Sequence, residues 1–259
     1  MSVFLALAGP AAADSLVKRH SFELSPEVYY HKYEEPDVME QKGIFYGARA
    51  AYEFHQGLYA RAEAAAAFGQ VDYSSPSSGT LDNIDDWLFE PRVLAGYDLN
   101  LAQHLLVTPF FGFSYRYLND DSSDRSTDTG ALGYERASNY FYSPIGLTAV
   151  VEPATGLKVR ASGEYDLFWK GKQKSYLSDV VYDYGDLEND QDSGYGLRGA
   201  LALEKTGKST DWWIEGFFRY WNIDDSDVQP VTFQGTIIGL GYEPANETVE
   251  VGAMIGIRF

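Results

Sequence analysis

The last twelve residues of the chain, Thr248 to Phe259, alternate between apolar side chains and others that are polar or small, apart from Met254. Successive side chains of a β-strand point to opposite faces, so this segment predicts a strand with one wholly apolar face. A free apolar edge strand promotes aggregation in water, whereas a strand that closes a barrel in lipid has no free edge. The segment therefore favours a transmembrane β-barrel. The apolar positions are Val249, Val251, Ala253, Ile255, Ile257 and Phe259.

This segment resembles the closing strand of Gram-negative outer-membrane β-barrels, which ends on Phe with apolar residues at alternate positions before it. The resemblance implies a location in the bacterial outer membrane, with membrane lipid and the barrel assembly machinery as partners. It also implies that Phe259 is part of the signal that the assembly machinery reads.

Segments with the same alternation recur along the chain and predict an all-β fold, a transmembrane up-and-down antiparallel β-barrel of about ten strands. The predicted strands are 20–34, 40–55, 57–74, 84–99, 104–120, 137–152, 155–170, 192–207, 210–224 and 246–259. Tight turns alternate with longer polar connections at 75–83, 121–136, 171–191 and 225–245, as periplasmic turns and outer loops do. A soluble β-sandwich is the alternative, but the many outward Tyr and Trp side chains favour a barrel in lipid.

Composition excludes several classes of function. The chain has no cysteine, which excludes thiol catalysis, disulfide bonds and cysteine-based metal sites. Its formal net charge of −18 argues against a nucleic-acid partner.

The amino-terminal residues read as the end of a secretory signal peptide. Residues 3–8 are mostly apolar, and Ala11 to Ala13 form a small-residue cleavage site before Asp14. We therefore expect residues 1–13 to be a signal-peptide remnant and residues 14–259 to form one barrel domain. A short apolar first strand is the alternative.

The inward faces of the predicted strands carry charge of both signs. A ring of about ten strands is only slightly wider than one that side chains fill, and an unpaired buried charge is costly. We expect these residues to pair and to close most of the lumen, with a narrow porin-like conducting path as the alternative. The predicted lumen network comprises Glu27, Arg49, Glu63, Arg92, Arg116, Arg160, Glu164, Arg198, Glu215, Arg219 and Glu250.

The outer loops are acidic, with one apolar exception. Alternating carboxylates at Asp186, Glu188, Asp190 and Asp192 have the spacing of a hard-cation loop and suggest calcium as a ligand, although acidic loops are commonly just solvated. The segment Val231 to Tyr242 is apolar and β-prone, so it predicts either a hairpin that extends strands nine and ten or a docking surface for a protein partner.

Ten strands are also the size of the omptin proteases, which the chain resembles in architecture and length. That family activates a water with an Asp–His pair and an Asp pair at the outer mouth. His31 is the one histidine near that mouth, and the nearby acidic pairs are Asp85–Asp86 and Asp224–Asp225. No Asp lies two residues from His31, so the omptin catalytic residues do not transfer. The His–Ser pair of lipid A deacylases faces lipid, and that match fails as well because His31 faces inward by parity.

The sequence thus shows no active site. It favours a non-enzymatic outer-membrane barrel that is structural, binds partners at the surface, or forms a narrow pore. An omptin-like surface hydrolase and calcium-dependent surface binding remain as alternatives.

Overall fold

In the computed structural model, which describes residues 16–259, the chain is almost entirely β-strand. The predicted signal-peptide remnant, residues 1–13, lies outside the described residues. No helix among residues 16–259 is long and apolar enough to cross a membrane. The strands are β1 (His20–Glu35), β2 (Met39–Gln56), β3 (Leu58–Ser75), β4 (Gly79–Tyr97), β5 (Leu99–Ala102), β6 (Leu105–Asp121), β7 (Glu135–Ala154), β8 (Leu157–Ser175), β9 (Leu187–Gln191), β10 (Gly194–Lys205), β11 (Asp211–Ile223), β12 (Gln229–Phe233), β13 (Thr236–Gly241) and β14 (Asn246–Arg258).

The sheet closes on itself as an antiparallel barrel. The strands pair around the ring in the order β1, β2, β3, β4, β6, β7, β8, β10, β11 and β14. The ring is closed because β14 pairs with β1. The short β5 continues β4 along β6, and β9 precedes β10 along β8, so the ring contains ten strands. This confirms the predicted fold class. Closure removes the free edges that an open sheet of this apolar character would expose.

Three of the predicted strand boundaries are wrong at the long-loop end of the barrel, and one of them is the start of the eighth strand, which β9 places at Leu187 rather than at 192. β4 begins at Gly79 rather than at 84, and β8 ends at Ser175 rather than at 170. The predicted loop 75–83 is therefore reduced to residues 76–78. These strand ends project beyond the lipid, where outward side chains are polar and the apolar alternation that marks a strand disappears.

The apolar segment in the last long loop folds as a hairpin of β12 and β13. The two strands form a separate two-stranded sheet, so they do not continue the barrel strands as predicted. Proline at 230 and a bulge between Val231 and Thr232 interrupt a regular ladder. Asn189 ties the hairpin to β9 by donating to the backbone oxygens of Asp227 (2.8 Å) and Gly241 (3.3 Å).

A belt of exposed apolar side chains surrounds the barrel, including Phe111 (65% exposed) and Ile255 (55%). Toward the long loops the belt ends where outward-facing charged residues begin on consecutive strands. The first such residue on each of five strands is Lys32, Lys42, Asp72, Asp85 or Asp121. The strands extend past this limit only at the end that carries the long loops. By the usual arrangement of outer-membrane barrels this is the outer end, and the short-turn end is periplasmic.

Apolar side chains share the lumen with the charged ones. Tyr29, Phe45, Trp213, Phe217 and Met254 are buried in one cluster inside the ring. Small residues on β14 make room for them, since a Cβ at Gly256 would lie 2.2 Å from the Trp213 ring. At the periplasmic end Leu16, which precedes β1, is buried against Leu106 and Val150. Packed apolar side chains therefore share the interior with charged ones, around a cavity of about 120 Å³ that Leu16, Leu106 and Val150 help to line.

An arginine at Ala253 should test the lipid belt. Ala253 is exposed on β14 between Val251 and Ile255, so Ala253→Arg should lower the free energy of unfolding by about 2–4 kcal/mol in lipid vesicles. The matched variant Gln70→Arg places the same charge at the upper limit of the belt and should cost about 0–1 kcal/mol. Urea titration of both variants in vesicles measures the difference. Equal costs would contradict the assigned membrane position.

Candidate functional site

The predicted charged residues meet inside the barrel in three groups, and the uppermost group is centred on Glu250. Glu250 is fully buried and accepts hydrogen bonds from Arg116 (2.6 Å) and Arg219 (3.1 Å). The His31 Nδ1 atom lies 3.2 Å from the same carboxylate. Two guanidinium groups therefore hold one carboxylate from opposite sides, which offsets the cost of its burial.

Halfway down the lumen two arginines each bind carboxylates on two other strands. Arg92 donates to Glu63 at 3.0 Å and to Glu164 at 2.5 Å. Arg198 donates to Glu90 and to Asp166, each at 2.6 Å. Tyr142 adds a hydroxyl that donates to Glu90 at 2.9 Å.

The periplasmic half contains the third group, centred on Glu23. Arg258 and Arg160 lie 2.5 Å and 3.4 Å from Glu23, and Arg160 also lies 3.7 Å from Glu215. Higher in the lumen, Glu27 accepts from Arg219 at 2.9 Å and from Arg49 at 3.4 Å. The structure thus places all eleven residues of the predicted network in the lumen, each within an ion pair.

Many of these pairs join strands that are not neighbours. Arg92 on β4 reaches Glu164 on β8, and Arg116 on β6 reaches Glu250 on β14. Arg198 on β10 reaches Glu90 on β4. Such pairs cross the lumen, so the network spans the interior as well as lining its wall.

Above the network lies a cavity of about 390 Å³, which we call the outer vestibule. Its apolar wall includes Met39, Leu81, Ile84 and Leu187. Its charged lining consists of Glu35, Asp120, Arg136 and Glu243, three carboxylates against one guanidinium, which gives a formal net charge of −2.

Arg136 fastens the last long loop to the mouth of the barrel. Its guanidinium donates to Glu35 at 2.7 Å and to Glu243, and the Tyr33 hydroxyl lies 3.0 Å and 2.9 Å from the same two carboxylates. Glu243 is in the loop before β14. Burial raises the pKa of the Glu243 carboxyl, Arg136 opposes that rise, and the nearby Glu35 adds to it.

Asp120 lines the floor of the vestibule, and Asp86 lies opposite it on the neighbouring strand. Asp86 on β4 and Asp120 on β6 are register partners, and they are 3% and 7% exposed. Gln41 donates to the Oδ2 atom of Asp120, whereas Oδ1 of each aspartate has no hydrogen-bond partner. Like charges directly opposite each other on adjacent strands destabilise a sheet. This pair therefore stands apart from the compensated network below it.

The predicted calcium ligands do not converge. Lys172 holds the pKa of Glu188 below its usual value, and Lys170 does the same for Asp190, in each case through a direct hydrogen bond. Asp186 accepts instead from the Ser178 backbone N–H and hydroxyl. Asp192 is exposed. Among residues 16–259 no group of three or more His, Cys, Asp or Glu side chains is arranged to hold a metal ion.

The predicted hydrolase constellation does not form at the rim. His31 is 1% exposed and held by Glu250, Asp85 points outward and accepts from Gln70, and Asp225 accepts from the Ala245 backbone N–H.

Phe259, the last residue of the predicted assembly signal, is 51% exposed on the lipid side, and its backbone N–H donates to the backbone oxygen of Phe22.

Sequence reasoning missed the vestibule and its floor. Asp86 has the parity of the inward Glu90, and Asp120 has that of the inward Arg116, so strand parity alone could have placed both inside. The joining of Glu35, Arg136 and Glu243 could not have been found this way, because Glu243 lies in a loop.

The comparisons with known proteins agree with this architecture. The sequence profile of the autotransporter beta-domain matches residues 39–204. The outer membrane protease OmpT from Escherichia coli superposes with a TM-score of 0.65 at 9% identity, covering 93% of this chain and 96% of OmpT. The translocator domain of autotransporter NalP from Neisseria meningitidis gives a TM-score of 0.47 at 12% identity, covering 96% of this chain and 92% of that domain. No curated protein sequence matches the chain significantly. At 9% identity, the likeness to OmpT shows the fold alone.

Neutralising Glu250 should test the energetic role of the network. Glu250→Gln keeps the shape but leaves Arg116 and Arg219 without their shared anion, so it should lower the free energy of unfolding by about 3–5 kcal/mol. The matched control is Glu247→Gln on the same strand, where the side chain faces outward and is half-exposed. Urea unfolding in vesicles measures both. Similar stabilities for the two variants would mean that the buried pairs contribute nothing.

Proposed function

The chain belongs to the autotransporter beta-domain family, and we propose that it uses this outer-membrane barrel as a closed scaffold that binds ligands or partners at its outer face. The observation that carries this proposal is the filled lumen. Ion pairs cross the ring at several levels, and the buried apolar cluster around Tyr29 and Trp213 occupies the space between them.

A filled lumen argues against transport as the main role. Selective pores commonly line their path with rings of one sign, whereas here each cation is placed against carboxylates. An extended polypeptide would have to displace the cross-lumen pairs Arg92–Glu164 and Arg198–Glu90, leaving several buried charges unpaired. Leu16 adds an apolar contact at the periplasmic end.

Two features of the outer face support a binding role. The outer vestibule is a cavity of about 390 Å³ with apolar walls and an anionic floor, a combination that suits a small ligand. Beside it, the β12–β13 hairpin exposes Ile237 (64%), Ile238 (55%) and Leu240 (73%). Exposed apolar side chains gathered on one short hairpin are typical of a protein-docking surface.

Planar-bilayer recordings should separate a closed barrel from a pore. We expect the unmodified protein to give only small, infrequent current steps. Replacing Arg49 and Arg92 together by alanine removes two cations from the middle of the lumen, so it should raise the conductance and lower the stability. The control pair Lys42→Ala and Arg125→Ala removes two cations from the outer surface and should leave the conductance unchanged. Large, stable, ohmic openings of the unmodified protein would overturn the proposal.

A further inference from the structure

The outer vestibule contains a buried carboxyl group, that of Asp120, which forms no ion pair with any residue in the described range 16–259. Of its three carboxylates, Glu35 and Glu243 share Arg136, while Asp120 is held only by the neutral amide of Gln41. Neither Asp120 nor its register partner Asp86 forms an ion pair with any residue in the described range 16–259.

Burial makes this arrangement costly. Asp120 is only 7% exposed, and its Oδ1 atom has no hydrogen-bond partner. Asp86, opposite it, also has an unpartnered Oδ1. Elsewhere in the lumen every comparable carboxylate of the predicted network meets an arginine, so the floor of the vestibule is an exception within an otherwise compensated interior.

We propose that the outer vestibule binds a small organic cation, an ammonium or guanidinium group on an apolar body. The cationic head would lie at Asp120, which lines the cavity, and Asp86, its register partner on β4, would add its charge next to it. The apolar body would contact Met39, Leu81 and Leu187 along the wall.

The shape and position of the cavity agree with this ligand class. A volume of about 390 Å³ accommodates a body of one aromatic ring with a short chain, and the cavity lies above the lipid belt, at the outer end. The acidic outer loops raise the local concentration of cations, which speeds their entry. An anionic ligand would meet a net charge of −2 at the lining and is disfavoured.

Three ligands with the same frame test the inference: phenethylamine, 2-phenylethanol and 3-phenylpropionate. They carry a positive, a neutral and a negative head group. Calorimetric titration into the barrel in nanodiscs of zwitterionic lipid should show saturable one-to-one binding of phenethylamine, with the alcohol and the carboxylate at least about tenfold weaker. Leu81→Ala should weaken the amine and the alcohol alike, because it removes wall contacts only.

The decisive comparison is Asp120→Asn with Asp121→Asn. Asp120→Asn should reduce phenethylamine affinity by about tenfold or more and bring it to the level of the alcohol. Asp121 is the next residue but is exposed and faces outward, so Asp121→Asn should bind like the parent. Asp86→Asn provides a second variant, with a smaller loss expected, in case Asp120→Asn fails to fold. The difference between variants cancels partition of the ligands into lipid.

Several outcomes would overturn the inference: equal affinities of the parent for amine and alcohol, no saturable binding at millimolar amine, or no change in Asp120→Asn. The barrel could instead bind calcium and not phenethylamine, with the calcium binding lost in Asp120→Asn. That result would mean that the ligand is a metal ion and not an organic cation. The inference rests on the proposed function, since it names what the outer face binds. The two fail separately, because a conducting barrel overturns the proposed function, whereas a closed barrel that ignores phenethylamine overturns only this inference.

Discussion

The pairing of buried charges in a narrow ring is the interaction on which the rest of this structure depends. A barrel of this size leaves little room for water, so each inward arginine must find a carboxylate or leave an uncompensated charge in a low-dielectric interior. Arg92, Arg116 and Arg198 find theirs across the lumen. These contacts tie distant strands together across the lumen. The outward belt of apolar side chains then has only to contact the membrane lipid.

Function follows from where this compensation ends. Below the mouth, the charges are paired, and aromatic side chains are buried in the same interior. At the mouth, the Arg136 cluster fastens the last loop, and the Asp86–Asp120 pair is left without a cation. The outer vestibule, whose wall combines apolar side chains with Asp120, lies at this end of the barrel. The proposed closed lumen and the proposed binding role of the outer face both follow from this distribution of charge.

Strand alternation predicted most of this fold because each residue has only two directions in which to point. Once the apolar face of β14 was assigned to lipid, the inward position of Glu250 and Arg258 followed, and the same parity placed the rest of the network in the lumen. Pairs between adjacent strands, such as Glu63 with Arg92, could be anticipated from similar heights. Pairs across the barrel could not, because they depend on strand tilt and stagger, which a single sequence does not reveal. The strand ends beyond the lipid were also missed, since polar residues there look like loop.

Cysteine accessibility tests the closed lumen most directly, and the chain has no native cysteine to interfere. Ser114 is buried halfway down the barrel, whereas Ser78 lines the outer vestibule. A charged, water-soluble methanethiosulfonate reagent should label Ser78→Cys readily and leave Ser114→Cys unlabelled until the protein is unfolded. Labelling of folded Ser114→Cys at a rate comparable to that of Ser78→Cys would show a water-filled channel and contradict the account.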